Sequence, residues 1–207
     1  MLLIVANYKH EIPSSILTKQ DENLKVEVLN ENKWWNFAFK LQKLILKHKP
    51  TKVLHIWTAW GKDTTLVGKV FHIQRSFLRA SDSVVESQKH RFVDKIDLNI
   101  PKANIVTKIN KVAHTDKLYD FAQIFDLETF RVGQLTNFFA IPIISIKGVT
   151  DTIVDLQSFE QEDEINFLLN PDQKRTKKQK ILKELKNSLA KLYPNFEKII
   201  NWLKSWP

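Results

Sequence analysis

The sequence predicts an α/β fold: one three-layer α/β/α domain around a central, mixed, largely parallel twisted sheet. Two observations carry this. Short apolar strands alternate with helical stretches along most of the chain, the pattern that builds parallel sheets. The 207 residues, 43% of them apolar, suit a single domain (residues 1–207) large enough to cover a sheet with helices.

The elements follow in order. Met1-Leu2-Leu3-Ile4-Val5-Ala6 is apolar for six residues and reads as a first strand. Lys25-Val26-Glu27-Val28-Leu29 alternates and reads as a second. From Trp34 to His48, apolar Trp34, Phe37, Ala38, Leu41, Leu44 and Ile45 form a helical stripe, which Pro50 stops. Val53–Trp57 is a compact strand, after which Thr58-Ala59-Trp60-Gly61 is expected to turn the chain. Further strands are expected over Val67–Ile73 and Asn104–Ile109, a helix over Glu128–Phe139, a central strand over Pro142–Ile146, and C-terminal helices over about 156–207. Residues 86–100 carry no clear pattern.

Composition excludes several functions. There is no cysteine, hence no disulfide and no thiolate chemistry or thiolate metal site. The six histidines are scattered, with no i, i+4 pair for a helical zinc site. Nothing approaches the ~18 apolar residues of a membrane span, and the N-terminus reads as a strand rather than a signal peptide. The expectation is a soluble, cytoplasmic protein. The net charge of +9 could attract nucleic acid or a membrane surface. Its densest run, Lys174 to Lys191, repeats Ile181, Leu182, Leu185, Leu189 and Leu192 at helical spacing. It reads as an amphipathic helix with a solvated lysine face. No aromatic residue interleaves there, so nucleic acid is not the expected partner.

Chemistry concentrates elsewhere. Asp126-Leu127-Glu128-Thr129 opens a helical run. The strand Ile141–Ile146 follows, then Lys147-Gly148-Val149-Thr150-Asp151. One acid therefore sits at a helix start and another just past a strand end, where open α/β sheets bind ligands. Taken alone, Asp126 and Glu128 are helix N-terminal acids that suit the dipole, and Asp151 is a turn cap. Glu11, just past the first strand in Asn7-Tyr8-Lys9-His10-Glu11, reads as an exposed first-turn glutamate.

These motifs resemble the closing segment and flanking acids of the nucleoside phosphorylase and nucleosidase superfamily, most of all the methylthioadenosine/S-adenosylhomocysteine nucleosidases. The resemblance spans roughly residues 1–155, with gaps. It implies an N-ribosyl hydrolase that cleaves an adenine-type purine nucleoside. In that scheme Asp151 protonates the base, Glu11 orients the attacking water and Glu128 grips the ribose, with Asp126 beside it. Thr58 and Ala59, in a turn like the family's Ser-Ala-Gly-Gly, then Thr150 and Lys111, occupy substrate-facing positions. No metal or organic cofactor is implied.

The partner is a small nucleoside, and the assembly a homodimer in which a neighbour's aromatic closes the pocket. Trp35 and Phe39 are the interface candidates, while Trp34 and Phe37 belong to the core. The chain also departs from the family pattern. Trp60 stands at a usual glycine, Lys111 replaces a base-stacking aromatic, and only four glycines occur. Two alternatives stay open. One is a phosphorylase, with Lys9, Arg75 or Arg79 holding phosphate. The other is a binding protein that keeps the fold with its pocket filled.

Overall fold

The computed structural model describes residues 1–12, 14–18, 20–30, 34–80, 83–86, 93, 100–108 and 122–152. Lys111, the run 174–191 and the C-terminal helices expected over 156–207 lie outside the described residues.

The elements are β1 (Leu2–Ala6), a 3-10 turn at Lys9–Glu11, α1 (Ser14–Leu17), β2 (Leu24–Val28), α2 (Trp34–His48) and β3 (Lys52–Gly61). A second 3-10 turn at Thr64–Leu66 follows, then β4 (Val70–Ala80), β5 (Ser83–Glu86), β6 (Lys102–Lys108), β7 (Ile124–Asp126), α3 (Thr129–Phe138) and β8 (Ile143–Thr152). β1 lies between β2 and β3, parallel to both, and β8 runs parallel to β3. Every β1 side chain is buried, the mark of a strand covered on both faces.

On one face Leu2, Ile4, Leu54, Ile56, Ile144 and Ile146 pack with Ile12 and Ile16. On the other, Leu3, Val5, Val53, Trp57 and Ile143 meet Phe37, Leu41 and Ile45 of α2 and Val132 of α3. The i, i+4, i+8 spacing of the α2 residues delivers them to this face. Phe37 is core, as expected, and Phe39 is 57% exposed. The side chains of Trp34 and Trp35 are outside the description. Lys49, in the left-handed region at φ 48°, ends α2 by donating its N–H to the Ile45 carbonyl, and Pro50 follows. No described helix is long and apolar enough to cross a membrane.

The α/β class is observed, with two corrections to the layering. First, the sheet partly closes. β3 pairs with β8 and β7, β8 with β4, β4 with β6, and β6 with β7, so these five strands form a closed barrel. β1 and β2 extend from β3 as a wing outside the barrel. Ala59, Phe71, Ile73, Ala103, Ile105, Ile124 and Val149 form a barrel core. Second, both long helices lie on one face of the wing, and among the described residues the opposite face is covered by short segments.

The closure also explains the misplaced boundaries. Thr58–Gly61 is not a turn but the second half of β3, because β7 and β8 supply its backbone partners. β8 runs on to Thr152, so Asp151 is a strand residue rather than a loop residue. Val67-Gly68 is a turn, with Gly68 at φ 83°, and β4 begins at Val70. β5 and β7 were not anticipated. They are short, and pairing rather than pattern makes them strands.

Gly61 sits where β3 meets both β7 and β8. An added Cβ would lie 2.9 Å from Leu66 Cβ, 3.0 Å from the Asp63 carbonyl oxygen and 3.1 Å from Val149 Cγ1. Gly61→Ala is expected to destabilise the fold by about 1–3 kcal/mol. Urea unfolding checks this through a lowered midpoint with unchanged slope.

Candidate functional site

A cleft of about 200 Å³ opens past the C-terminal end of β1, along the stretch of the parallel strand β3 that runs on beyond it. Its walls are Asn7 and Tyr8 after β1, Trp57 to Trp60 of β3, and Asp126 to Glu128 at the β7–α3 junction. Location and lining agree with the strand-end rule for ligand sites.

Glu11 lies beneath this wall. It is not the exposed glutamate that its local sequence suggests, being only 1% exposed. Its Oε2 accepts the N–H groups of Asn7 and Tyr8, both at 2.8 Å, so the carboxylate pins the chain as it leaves β1. Its Oε1 is buried without a hydrogen-bond partner. Burial pushes the carboxyl up to about 7, against the opposing pull of the Tyr8, Asn7 and Thr58 amides and Lys147.

Asp126 and Glu128 divide the work at the helix start. Asp126 provides the cap. It accepts the Thr129 N–H at 3.1 Å, the Thr129 hydroxyl, and the Thr107 hydroxyl at 2.7 Å. Thr107 Oγ1 in turn accepts the Phe130 N–H at 2.9 Å. With these amides satisfied, the Glu128 side chain makes no cap bond. Its Oε2 takes only a long 3.3 Å contact from the Leu127 N–H. Burial raises its carboxyl to about 8. Asp126 and Glu11 push in the same direction, and Lys147 opposes them. Tyr8 completes the group: its phenol is raised by burial and by the nearby Glu11 and Glu128.

Lys147 holds this acidic site together. It is fully buried on β8, with its ammonium 2.7 Å from Asp126 Oδ2 and 5.6 Å from the centroid of the Trp57 ring. The approach to Asp126 lies off the hydrogen-bond line, so the contact is an ion pair. The same charge, after burial itself, holds His55 well below the ordinary imidazole range. His55 Nδ1 lies 3.0 Å from Ser145 Oγ.

Five of the residues singled out in the sequence thus meet around one cleft: Asp126, Glu128, Thr58 and Ala59 in its wall, Glu11 behind it. Thr150 is buried but outside the lining. Asp151 is placed by its backbone, opposite Trp60 in the β3–β8 ladder. Lys111 lies outside the described residues. Lys9 and Arg75 are exposed and do not line the cleft. Sequence reasoning passed over Tyr8, Thr107 and Lys147. Only Lys147 gave a signal: a cation closing an apolar strand must find a buried acid.

No protein-family model and no curated protein sequence matches the chain. Solved structures do. The 5'-methylthioadenosine nucleosidase of Arabidopsis thaliana shares 15% identity at a TM-score of 0.65, covering 100% of this chain and 96% of its own. The 5'-methylthioadenosine/S-adenosylhomocysteine nucleosidase of Helicobacter pylori, solved with butyl-thio-DADMe-Immucillin-A, shares 13% at 0.61, covering 95% and 97%. The futalosine hydrolase of Helicobacter pylori strain 26695 gives 13% at 0.61, with the same coverage. The chain therefore has the fold of these nucleosidases, at identities that speak for fold alone.

Two outcomes are expected. Lys147→Met strands Asp126 as a buried, uncompensated charge and should cost about 3–5 kcal/mol. Adding Asp126→Asn should recover part of that loss, which a double-mutant unfolding cycle measures. The second concerns pH. Glu11 and Glu128 hold protons in the folded state at values where the unfolded chain has released them. Their protonation therefore favours folding at low pH, and that contribution fades as pH rises through about 7 and 8. Relative to wild type, each substitution should remove up to about 1.4 kcal/mol of decline per pH unit, Glu11→Gln between pH 5 and about 7 and Glu128→Gln between pH 5 and about 8. Melting curves over that range test it.

Proposed function

We propose that this chain is a nucleosidase, an N-ribosyl hydrolase that cleaves an adenine-type purine nucleoside. One observation carries the proposal. Two buried carboxyls with raised proton affinity, Glu11 and Glu128, are gathered with Tyr8 at the strand-end cleft of a nucleosidase fold.

Each group has a task. Glu128 offers carboxyl oxygen lone pairs to the ribose hydroxyls, and once ionised, above about pH 8, it also opposes the positive charge that develops on the sugar. Glu11 has an unoccupied Oε1 and a proton affinity near neutrality, the properties of a general base. It takes a proton from water as the water oxygen bonds to the anomeric carbon. The C–N bond breaks, and its electron pair leaves on the base. Asp151, level with Trp60 on β8, supplies the proton that the departing purine needs. Thr58 and Ala59, which line the cleft, shape the ribose side. Asp126 serves as anchor: its oxygens already face Thr107, Thr129 and Lys147. No cofactor or metal takes part in this scheme.

The electrostatics favour water over phosphate. The described residues that line the cleft include no cation, and the buried Lys147 is engaged by Asp126. A phosphate dianion would find no charged partner there, whereas water meets carboxyl acceptors. We place the enzyme in the cytoplasm as a homodimer, apposed through the α2 surface that exposes Phe39 and Leu46.

The test is release of free adenine from 5'-methylthioadenosine and from adenosine in phosphate-free buffer. Wild type should turn over at a rate unaffected by added phosphate. Glu11→Gln and Asp151→Asn should lower kcat about 10²–10⁴-fold, and Glu128→Gln should raise KM and lower kcat together. In wild type, kcat/KM should rise as pH passes through about 7, where Glu11 ionises. Absence of base release by wild type, or full activity of Asp151→Asn, overturns the assignment.

A further inference from the structure

We infer that Trp60 is a specificity-determining contact: its indole is a wall of the cleft on which a planar heteroaromatic ring of the ligand stacks. That this ring is a purine rests on the nucleosidase reading above.

The indole has two environments. It packs against Phe77, Val106, Ala122 and Phe125 at the end of the barrel, and Trp60 is also a lining residue of the cleft that holds Glu128. An aromatic side chain that served only as core would be covered, as Phe125 is at 0% exposure. Trp60 is instead only half-buried.

Its position is built by the backbone. Along β3 and β8 the ladder pairs Ala59 with Val149 and then Trp60 with Asp151, so Thr150 is the extra residue of a bulge. Bulges re-aim the chain beside sites. On its other side Trp60 pairs with Phe125 of β7. Trp60 is therefore clamped between two strands, and the backbone of Asp151 lies on the same rung. A ring resting on the indole would lie beside that aspartate position, while Glu128 in the same cleft offers acceptors for hydroxyls. Aromatic platform and carboxylate together suit a ligand of two parts, one planar and one hydroxylated. Stacking tolerates many rings because every base has a π-face.

The experiment is calorimetric titration of free adenine into wild type, Trp60→Phe, Trp60→Leu and Trp60→Gly. Methylthioadenosine cleavage is measured on the same samples. Leucine keeps apolar packing against Phe125 but removes the π-face. Trp60→Leu should bind adenine about 5–150-fold more weakly, while Trp60→Phe stays close to wild type. Trp60→Gly should lose binding as well. Equal binding by Trp60→Leu overturns the inference, as does tighter binding by Trp60→Gly, which would make the indole a plug. Failure of wild type to bind adenine at millimolar concentration also overturns it. Trp60-dependent adenine binding without nucleoside cleavage supports the platform and sinks the nucleosidase reading. Cleavage with an unchanged KM in Trp60→Leu does the reverse. If the variants fail to fold, photolabelling of wild type with 8-azidoadenosine decides: label on the β3 peptide containing Trp60 supports the contact, and label elsewhere overturns it.

Discussion

The ion pair between Lys147 and Asp126 sets the terms for the rest of this molecule. The strands that carry them, β8 and β7, are not neighbours in the sheet. The contact therefore links the two strands that flank β3. Asp126 also accepts from Thr107 of β6 and from the first residue of α3. One carboxylate thus ties together three strands and a helix. Burying a charge is costly unless it is paired and hydrogen-bonded, and this one is both.

From that tie follows the freedom of Glu128. A helix start leaves amides in need of acceptors. Asp126 and Thr107 take those of Thr129 and Phe130, so the next acid in the chain can serve the cleft instead. Glu11 has a different duty: one oxygen holds two amides where the chain leaves β1, and the other faces no partner. Both carboxyls are dry, close enough to feel each other, and moderated by the same lysine. Such a site keeps protons near neutral pH, which ordinary exposed carboxyls do not.

The barrel closure shapes the other half of the cleft. It turns Thr58–Gly61 into strand, continues β8 through Asp151, and sets Trp60 level with that aspartate by a single skipped residue. A glycine with no room for a Cβ stands at the seam. The cleft wall is thus a by-product of how the sheet closes on itself.

Much of this was legible in the residues alone. The apolar run of β1, the alternation of β2 and the α2 stripe announce their structures because burial on one or two faces imposes a local period. Asp126, Glu128, Glu11, Thr58 and Ala59 could be picked out by motif, and they do assemble around one cleft. The short strands β5 and β7, the extension of β3 and β8, and the pairing of Lys147 with Asp126 were not legible. Nor was the burial of Glu11, which follows the polar Lys9 and His10. These features depend on partners far along the chain, and no local pattern encodes a partner. Periodicity records which side of an element is dry; only folding decides which charges share the dryness, and hence which acids keep their protons.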